Sequence, residues 1–481
     1  MRWWFASELA AARSAGLVAN DLRSEAIDEF LVYRFVPSPG TPFRSAWKLP
    51  PAHYCRIPLD QPLETPVFHR YGSTFAPASL PGGRHEWEAA VREGLGAAVR
   101  RQLMADVPVG SLLSGGVDST IVTRLMRDSL PEPPQAFAIG FSGESPDGEL
   151  HAARAAAAAL GVPLQEVEAS EGEYLDTWLA QAARFGEPIA NTGLPFVGLL
   201  CSRVGATHKV VLSGQGADEP LGGYPRHAAE RLYPLGQRIR WLLRMVPEGW
   251  AESDRMARVR RVVGEPDRAS RFANILAVFS PREVVQLTGR GDFERLIRPV
   301  RTWLGEDESG DGLNALLKVD ARLSLSDDLL LVADHMSMAC SIEFRVPFLD
   351  LELLALLERM PSRYKLSWTG ARKWLYRRAI VGLLPVELQG GLTGRRARAG
   401  RKLGFTMPLD RWVNRWVGTS ADEFLTGPRA VLPHYTQAER IRAYLGDVRR
   451  RHLKRNRQLA ALYVLESWLR SAVGAPTRAV P

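Results

Sequence analysis

Apolar and polar positions follow two different periods through the first half of the chain, and the alternation predicts a sheet covered by helices. Short apolar runs at 136–141, 164–167 and 209–212 have the length of buried strands. Between them, residues 149–160 and 171–184 place apolar side chains at helical spacing. Strands that alternate with helices are typical of a parallel sheet with both faces covered, so the pattern predicts an α/β fold.

The rest of the chain carries weaker patterns. Helical spacing is visible over residues 20–34 and 87–104, and a strand is predicted at 54–57. Residues 58–84 hold several prolines and glycines and are the best candidate for a domain boundary. From about residue 228 onward the patterns are mainly helical, which predicts a largely helical C-terminal part.

Two runs of basic residues interrupt this helical part. Residues 389–402 carry five basic residues, four glycines and no acid, so we predict a mobile, solvent-exposed loop. Residues 449–457 lead into an apolar helical pattern, and we predict the solvated start of a helix there.

The 481 residues are enough for two or three domains. The chain shows no apolar run of membrane-spanning length and no secretory leader, and its three scattered cysteines lack metal-ligand spacing. We therefore expect a cytoplasmic protein with reduced thiols. The net charge of +9 permits a nucleic-acid partner but does not require one, because an enzyme that binds small anionic ligands also needs positive charge.

The first segment with candidate functional residues is 107–119, where an apolar run is followed by a turn of small residues and then by a helical pattern. Ser114, Gly115 and Gly116 let the backbone approach a ligand, and free N–H groups at a helix start suit a phosphate. Asp118 would place a carboxylate beside that anion, as a magnesium ligand does. Small residues in such a turn also serve packing alone, and this alternative stays open for the glycine pair by itself.

The full motif SGGVDS at 114–119 is more specific. It is not the lysine-bearing Walker loop, and it resembles the pyrophosphate-loop motif of enzymes that cleave ATP between its α and β phosphates. Three further segments complete a candidate site. They are AIGF at 138–141, which could offer a strand edge to adenine, LSGQGADEPLGGY at 212–224, and Lys402 in RKLGF.

Cleavage of ATP at its α-phosphate needs amide donors, a divalent cation and a positive side chain where charge develops. Asp118 and Asp218 could share the cation, and Lys402 could supply the positive side chain. Each fragment alone has a simpler explanation, because an acid after a strand is often a helix cap. Their occurrence together in this order favours one site.

Taken together, the motifs resemble the glutamine-dependent asparagine synthetase family over nearly the whole chain. The segments that carry the resemblance are FASELAA at 5–11, KLPPAHY at 48–54, SGGVDS, IGF at 139–141, GEP at 186–188, LSGQGADEPLGGY, ADHMSMACSIEFRVPFLD at 333–350, KWLYRRAIVGLLP at 373–385, KLGF at 402–405 and LYVLESWL at 462–469.

The resemblance implies an ATP-pyrophosphatase-type synthetase domain that uses ATP and Mg²⁺, with the metal on Asp118 and Asp218. It implies that a carboxylate is activated as an acyl-adenylate, that Lys402 stabilises this step, and that ammonia or an amine then attacks. The ATP-binding residues expected on this basis are Leu113, Ser114, Gly115, Gly116, Asp118, Ser119, Ile139, Ser213 and Gly214.

The N-terminus departs from the family pattern. Arg2 follows Met1 where the family has a nucleophilic cysteine, and the match begins only at the final portion of the glutaminase domain. We therefore expect residues 1–75 to be a remnant of a class II amidotransferase domain and 76–481 to be the synthetase domain. Glutaminase activity is not expected. A separate glutaminase subunit, a homodimer, a split gene and a misassigned start all stay open.

Two candidate catalytic residues carry open questions. Gln215 stands where asparagine-forming members usually have glutamate, and an amide can orient a substrate but cannot act as a base. Glu343 and Arg345, two apart on an extended segment, could position a substrate amino or carboxylate group. They could equally form a buried ion pair that locks the helical layer to the sheet.

The first expectation is asparagine synthesis from aspartate with ammonia. Gln215 and the missing glutaminase segments favour a second expectation. In it, the protein is similar to β-lactam synthetases or macrocyclases, and the attacking amine belongs to the substrate. Alternatives of other classes are a tRNA-modifying pyrophosphatase and a non-catalytic partner subunit. The C-terminal motifs argue against a tRNA-modifying enzyme, so a nucleic-acid partner is not expected.

Overall fold

A computed structural model describes residues 3–58, 67–71, 80–141, 148–238, 261–290, 292–305, 310–393, 413, 415–416, 419–450 and 455–473. The first part of the chain forms helices α1 (Leu9–Ser14) and α2 (Ser24–Tyr33) and an antiparallel pair of strands, β1 (His53–Cys55) and β2 (Phe68–Arg70). The predicted helix at 20–34 is confirmed, with a later start.

A five-stranded parallel sheet forms the centre of the next part of the chain, which confirms the predicted α/β fold. Its strands are β3 (Val109–Leu112), β4 (Ala136–Phe141), β5 (Leu164–Ala169), β6 (Val210–Leu212) and β7 (Glu343–Arg345). The strand order is β5-β4-β3-β6-β7. The chain therefore builds outward from β3 in one direction and then returns to add β6 on the other side. Ligands of open parallel sheets bind at such a switch point, outside the carboxyl ends of the strands.

Helices on both faces bury this sheet. Those of the first half are α3 (Arg84–Gln102), α4 (Val117–Ser129), α5 (Glu149–Leu160), α6 (Glu171–Arg184) and α7 (Leu194–Val204). Neighbouring residues of β6 point to opposite faces, as strand geometry requires. Leu212 packs in the cluster of α3 and α4, whereas Val211 packs in the cluster of α6 and α7.

The described part of the second half is mainly helical, as predicted. Its elements are α8 (Asp218–Leu221), α9 (His227–Arg238), α10 (Arg268–Leu276), α11 (Pro281–Thr288), α12 (Phe293–Gly305), α13 (Gly312–Asp320), a π-helix (Ala321–Leu330), α14 (Leu331–Met338), a 3₁₀ turn (Pro347–Leu349), α15 (Leu351–Arg359), α16 (Ser362–Lys365), α17 (Trp374–Val381), α18 (Val386–Thr393), α19 (Ala421–Thr426), a 3₁₀ turn (Leu432–His434), α20 (Ala438–Arg450) and α21 (Asn456–Val473). None of the described helices is long and apolar enough to cross a membrane.

The structure differs from the prediction for the first basic run and agrees in part with the prediction for the second. Residues 389–393 belong to α18 and not to a loop, and Leu388 of this helix packs against two apolar clusters. This packing outweighs the poor helix propensity of the glycines. The remainder of the predicted loop, 394–402, lies outside the described residues. Residues 449 and 450 end α20, and α21 begins at Asn456.

Buried ion pairs join the N-terminal segment to the π-helix. Arg34 Nε donates to Asp328 Oδ2 at 2.7 Å, and Asn191 Nδ2 donates to Asp328 Oδ1 at 2.7 Å. Beside them, Lys48 Nζ lies 2.8 Å from Glu187 and 3.7 Å from Asp327. The side chain of Asp328 is fully buried, so its charge depends on these partners.

We predict that Asp328→Ala lowers the free energy of unfolding by about 3–5 kcal/mol, because the Arg34 charge is left without its buried partner. Denaturant unfolding followed by circular dichroism measures the change. The matched control is Asp128→Ala, which removes a partly exposed i,i+4 pair with Arg124 and should cost less than about 1 kcal/mol. Equal losses in the two variants would contradict a structural role for the buried pair.

Candidate functional site

The turn between β3 and α4 presents backbone to solvent at the switch point of the sheet. The side chain of Leu113 is buried, and its N–H donates to the Phe137 carbonyl at 2.8 Å. Ser114 and Gly116 are exposed. Gly115 has a φ of +70°, and a Cβ there would lie 2.4 Å from the carbonyl carbon of Ala152. Only glycine fits this position.

Hydroxyl groups hold the shape of this turn. The Ser114 N–H donates to Ser119 Oγ at 3.2 Å, and Ser119 Oγ donates to the Gly116 carbonyl at 3.1 Å. The N-cap residue, Gly116, has no side chain that could cap the helix. The first N–H groups of α4 are therefore open to an anion.

A second turn, after β6, lies directly against the first. The Ser213 N–H donates to the Arg345 carbonyl at 2.9 Å, which continues the pairing of β6 with β7. A Cβ on Gly214 would lie 2.5 Å from the backbone nitrogen of Ser119. The two glycine-rich turns thus touch at the start of α4, and a side chain at Gly214 would separate them.

An ion triad lies beside the two turns. Lys373 Nζ is 2.7 Å from Asp118 Oδ2 and 2.7 Å from Asp218 Oδ1. Asp118 is in the first turn of α4, Asp218 begins α8, and Lys373 is the N-cap of α17. Sequence analysis predicted that the two aspartates share a cation, and the structure brings them to one ammonium group.

The charges of the triad support one another. Burial alone would lower the pKa of Lys373, but the two carboxylates raise it above its ordinary value. Burial and the neighbouring Asp118 carboxylate raise the pKa of Tyr376 well above its usual range. Oδ1 of Asp118 is buried and accepts no hydrogen bond from the described residues.

The donor set fits Mg²⁺ held by protein and substrate together. The described residues contain no group of three or more His, Cys, Asp or Glu side chains placed to hold a metal. Mg²⁺ is commonly bound through one or two carboxylates, with phosphates and water as the other ligands. Asp118 and Asp218 supply the carboxylates, and the unpaired Oδ1 of Asp118 is free to act as a ligand.

A buried polar cluster supports the second turn from behind. Tyr224 donates to Glu219 Oε1 at 2.8 Å, and burial together with the Asp218 and Asp320 carboxylates raises the pKa of Glu219 to about 7. Arg226 and His227 bind Asp320. These contacts fix the residues that follow Asp218.

Gln215 contacts the π-helix. Its Nε2 donates to the Leu329 carbonyl at 3.1 Å, and its backbone N–H donates to Ser213 Oγ at 3.2 Å. A π-helix alters the local backbone pairing and is frequent at functional sites. The Gln215 amide therefore joins the turn after β6 to the π-helix.

Two predicted placements are wrong. Ile139 does not lie on a strand edge, because β4 is flanked by β3 and β5 and the Ile139 side chain is packed in an apolar cluster. Glu343 pairs with Val210 at the amino end of β6, whereas the two glycine-rich turns lie at the carboxyl ends of the strands.

This position gives Glu343 a structural contact away from the two turns. Its side chain is 60% exposed and accepts from Arg345 at 2.9 Å, so the pair is not the buried one that was considered. Arg345 also donates to the carbonyls of Gln102 and Met104, at the end of α3. The ion pair thus holds a helix end at the edge of the sheet.

The remaining candidate site residues either lie together around the two turns or fall outside the described residues. The structure brings together Leu113, Ser114, Gly115, Gly116, Asp118, Ser119, Ser213, Gly214, Gln215 and Asp218 around the two turns. Lys402 lies outside the described residues. Sequence analysis missed Lys373, which begins the segment KWLYRRAIVGLLP and has no periodicity or spacing that would single it out.

Comparison with known proteins finds similarity to asparagine synthetases. The family model described as asparagine synthase matches residues 90–470. The chain is similar to asparagine synthetase [glutamine-hydrolyzing] 1 of Bacillus subtilis, at 28% identity over 88% of this chain and 66% of that protein. It is also similar to a putative asparagine synthetase of Mycobacterium bovis, at 29% identity over 82% of this chain and 59% of that protein.

A shorter similarity is to amidase chyE of Penicillium rubens, at 30% identity over 40% of this chain and 30% of that protein. The chain spans less than two thirds of the length of each of these relatives.

We predict that Gly214→Ala destabilises the protein by about 1–3 kcal/mol, because the added methyl group collides with the backbone at Ser119. Gly382→Ala is the matched control, since a Cβ there meets nothing within 4 Å, and its effect should stay within about 0.5 kcal/mol. Thermal and denaturant unfolding measure both. A Gly214 variant as stable as the control would show that the two turns do not need their close contact.

Proposed function

Because this chain belongs to the asparagine synthase family, we propose that it is an ATP-dependent amide-forming synthetase that activates a carboxylate as an acyl-adenylate. The observation that carries the proposal is the meeting of Asp118 and Asp218 on Lys373, beside two glycine-rich turns. This meeting lies at the switch point between β3 and β6, where parallel sheets bind nucleotides and phosphates.

The turns and the triad have separate tasks in this proposal. The open N–H groups in the first turn of α4 bind ATP phosphates, helped by the positive end of the α4 dipole. Asp118 and Asp218 would hold Mg²⁺, which when bound would neutralise charge on the pyrophosphate that leaves. Lys373 keeps the two carboxylates at one place and offsets their mutual repulsion.

The reaction proceeds in two steps. In the first, a carboxylate oxygen of the substrate attacks the α-phosphorus of ATP, and the bond to pyrophosphate breaks. In the second, an amine nitrogen attacks the acyl carbon, loses a proton and displaces AMP. Lys402 is proposed to stabilise the first step, on the family resemblance, where negative charge grows on the phosphates.

Asparagine from aspartate is the first candidate product, with ammonia supplied as such or by a partner. Gln215 favours a second candidate of the same class, in which the substrate itself carries the amine. An amide at this position orients a substrate but takes no proton, so the base would come from elsewhere. We retain residues 1–75 as an amidotransferase-type segment and 76–481 as the synthetase domain.

ATP–pyrophosphate exchange over a panel of carboxylic acids tests the proposal, because it reports adenylation before any amine is needed. Exchange that requires aspartate supports asparagine synthesis, and exchange that ignores aspartate but occurs with an acid whose own amine can reach its activated carboxyl group supports the second candidate. A tRNA-binding assay at two salt concentrations tests the tRNA-modifying alternative. No exchange with any acid would favour a non-catalytic subunit.

We predict that Asp118→Asn and Asp218→Asn each lower magnesium-dependent exchange by about 100-fold or more, since each removes a negative ligand of the metal. Asp128→Asn, on the same helix as Asp118 but outside the triad, should leave exchange unchanged. Circular dichroism checks that the variants are folded. A variant that exchanges at the wild-type rate would remove its residue from the metal site.

We predict that Lys402→Ala slows exchange by roughly 100- to 1000-fold, because its charge is needed where the transition state becomes more negative. Binding of ATP itself should change much less, since the turn amides and the metal already hold the ground state. Arg396→Ala, on the same basic run, is the comparison. If this arginine variant loses exchange while Lys402→Ala stays within a few-fold of wild type, the essential cation is the arginine.

A further inference from the structure

A cavity of 530 Å³ lies between the N-terminal segment and helix α12, away from the candidate active site. One wall comes from residues 23–53, which precede the part of the chain that matches the asparagine synthase family. The opposite wall is α12, which packs against α13, and α13 in turn packs against α8. Helix α13 therefore connects the cavity wall to α8, the helix that Asp218 begins.

The walls of the cavity carry more positive than negative charge. Four arginines (Arg23, Arg44, Arg295, Arg298) face two glutamates, Glu25 and Glu29. Arg23 is bound to Glu29, and Arg295 is bound to Asp28 behind the wall. These two arginines are already neutralised by their partners.

The other two arginines are available to a ligand. Arg44 is half-exposed and lies 3.5 Å from Asp21 and 3.8 Å from Glu25, both longer than a direct charged hydrogen bond. Arg298 is exposed and makes no ion pair or hydrogen bond within the described part of the chain. An anion in the cavity would therefore meet the free donors of Arg298 and those donors of Arg44 that its two long ion pairs leave open.

Aromatic surface lies beside these arginines. Trp47 lines the cavity and is 55% exposed, although its ring is only 5.9 Å from that of Trp3. Trp303, on the α12 side, is buried and lies 6.2 Å from the His53 ring. An exposed tryptophan next to the unpaired Arg298 and the loosely paired Arg44 offers a face for a planar ring and a charge for an attached acid.

We propose that this cavity binds a small aromatic or heteroaromatic acid. The ring stacks on Trp47, and the carboxylate or phosphate takes the free donors of Arg44 and Arg298. The volume lies within the range of roughly 300–1,000 Å³ that small-molecule sites occupy. The site does not depend on the proposed synthetase activity.

Calorimetric titration of the full chain with indoleacetate tests the proposal. We expect saturable binding at one site, weakened about tenfold or more by Arg298→Ala, which removes a charged hydrogen bond. Trp47→Ala should weaken binding by a similar factor, because the stacking surface is lost. Neither exposed side chain supports the core, so both variants should remain folded.

Arg282→Ala is the matched control, since Arg282 is an exposed arginine on the neighbouring helix α11 and does not line the cavity. It should bind indoleacetate like the wild type. Absence of saturable binding, or binding unchanged in both the Arg298 and the Trp47 variants, would overturn the proposal. Inorganic phosphate that binds as tightly as indoleacetate would overturn the role of the ring. Nucleotide exchange is not part of the measurement, so failure of the proposed function leaves the result intact.

Discussion

The geometry of the candidate site depends on one buried ammonium group held by two carboxylates. Lys373 is 255 residues from Asp118 in the chain, and its side chain is almost completely buried. A charge in such a place is tolerated only when it is paired and hydrogen-bonded, so the two aspartates and the lysine fix one another. Because they stand at the starts of α8, α4 and α17, the triad also fixes where these three helices begin.

The starts of α4 and α17 meet at the triad. The triad has two carboxylates and one ammonium group, and its negative net charge suits these two helix ends. The N-terminal end of a helix carries partial positive charge, which favours carboxylates and phosphates and disfavours a lysine. Two aspartates against one lysine restore the balance. Added ATP phosphates would bring further negative charge to the same helix ends, and Mg²⁺ would offset it.

A second buried network connects this site to the N-terminal segment. Arg34 and Lys48 bind acidic residues of the π-helix, and the same helix accepts a hydrogen bond from Gln215 through Leu329. Helix α2 and helix α21 share one apolar cluster. Residues of the described segment 3–58 are thus part of the packing that positions the turn after β6, although the family match begins only at residue 90.

Local pattern determined those parts of the molecule whose structure depends on neighbours in sequence. The strand at 136–141 and the helices at 149–160 and 171–184 have the bounds that periodicity predicted. The glycine-rich turns could also be recognised from sequence, because the residues that shape each turn are adjacent in the chain.

Tertiary structure alone decided which distant residues meet. Lys373 has no local signal, since its role comes from contacts with residues more than 150 positions away. Glu343 had the right chemistry for a site, but strand register placed it at the amino end of the sheet. Ile139 became an interior position once β5 paired beyond β4, and packing of Leu388 turned part of a predicted loop into helix α18. The sequence by itself determined the elements and the turns, and non-local pairing and packing determined which charges face one another.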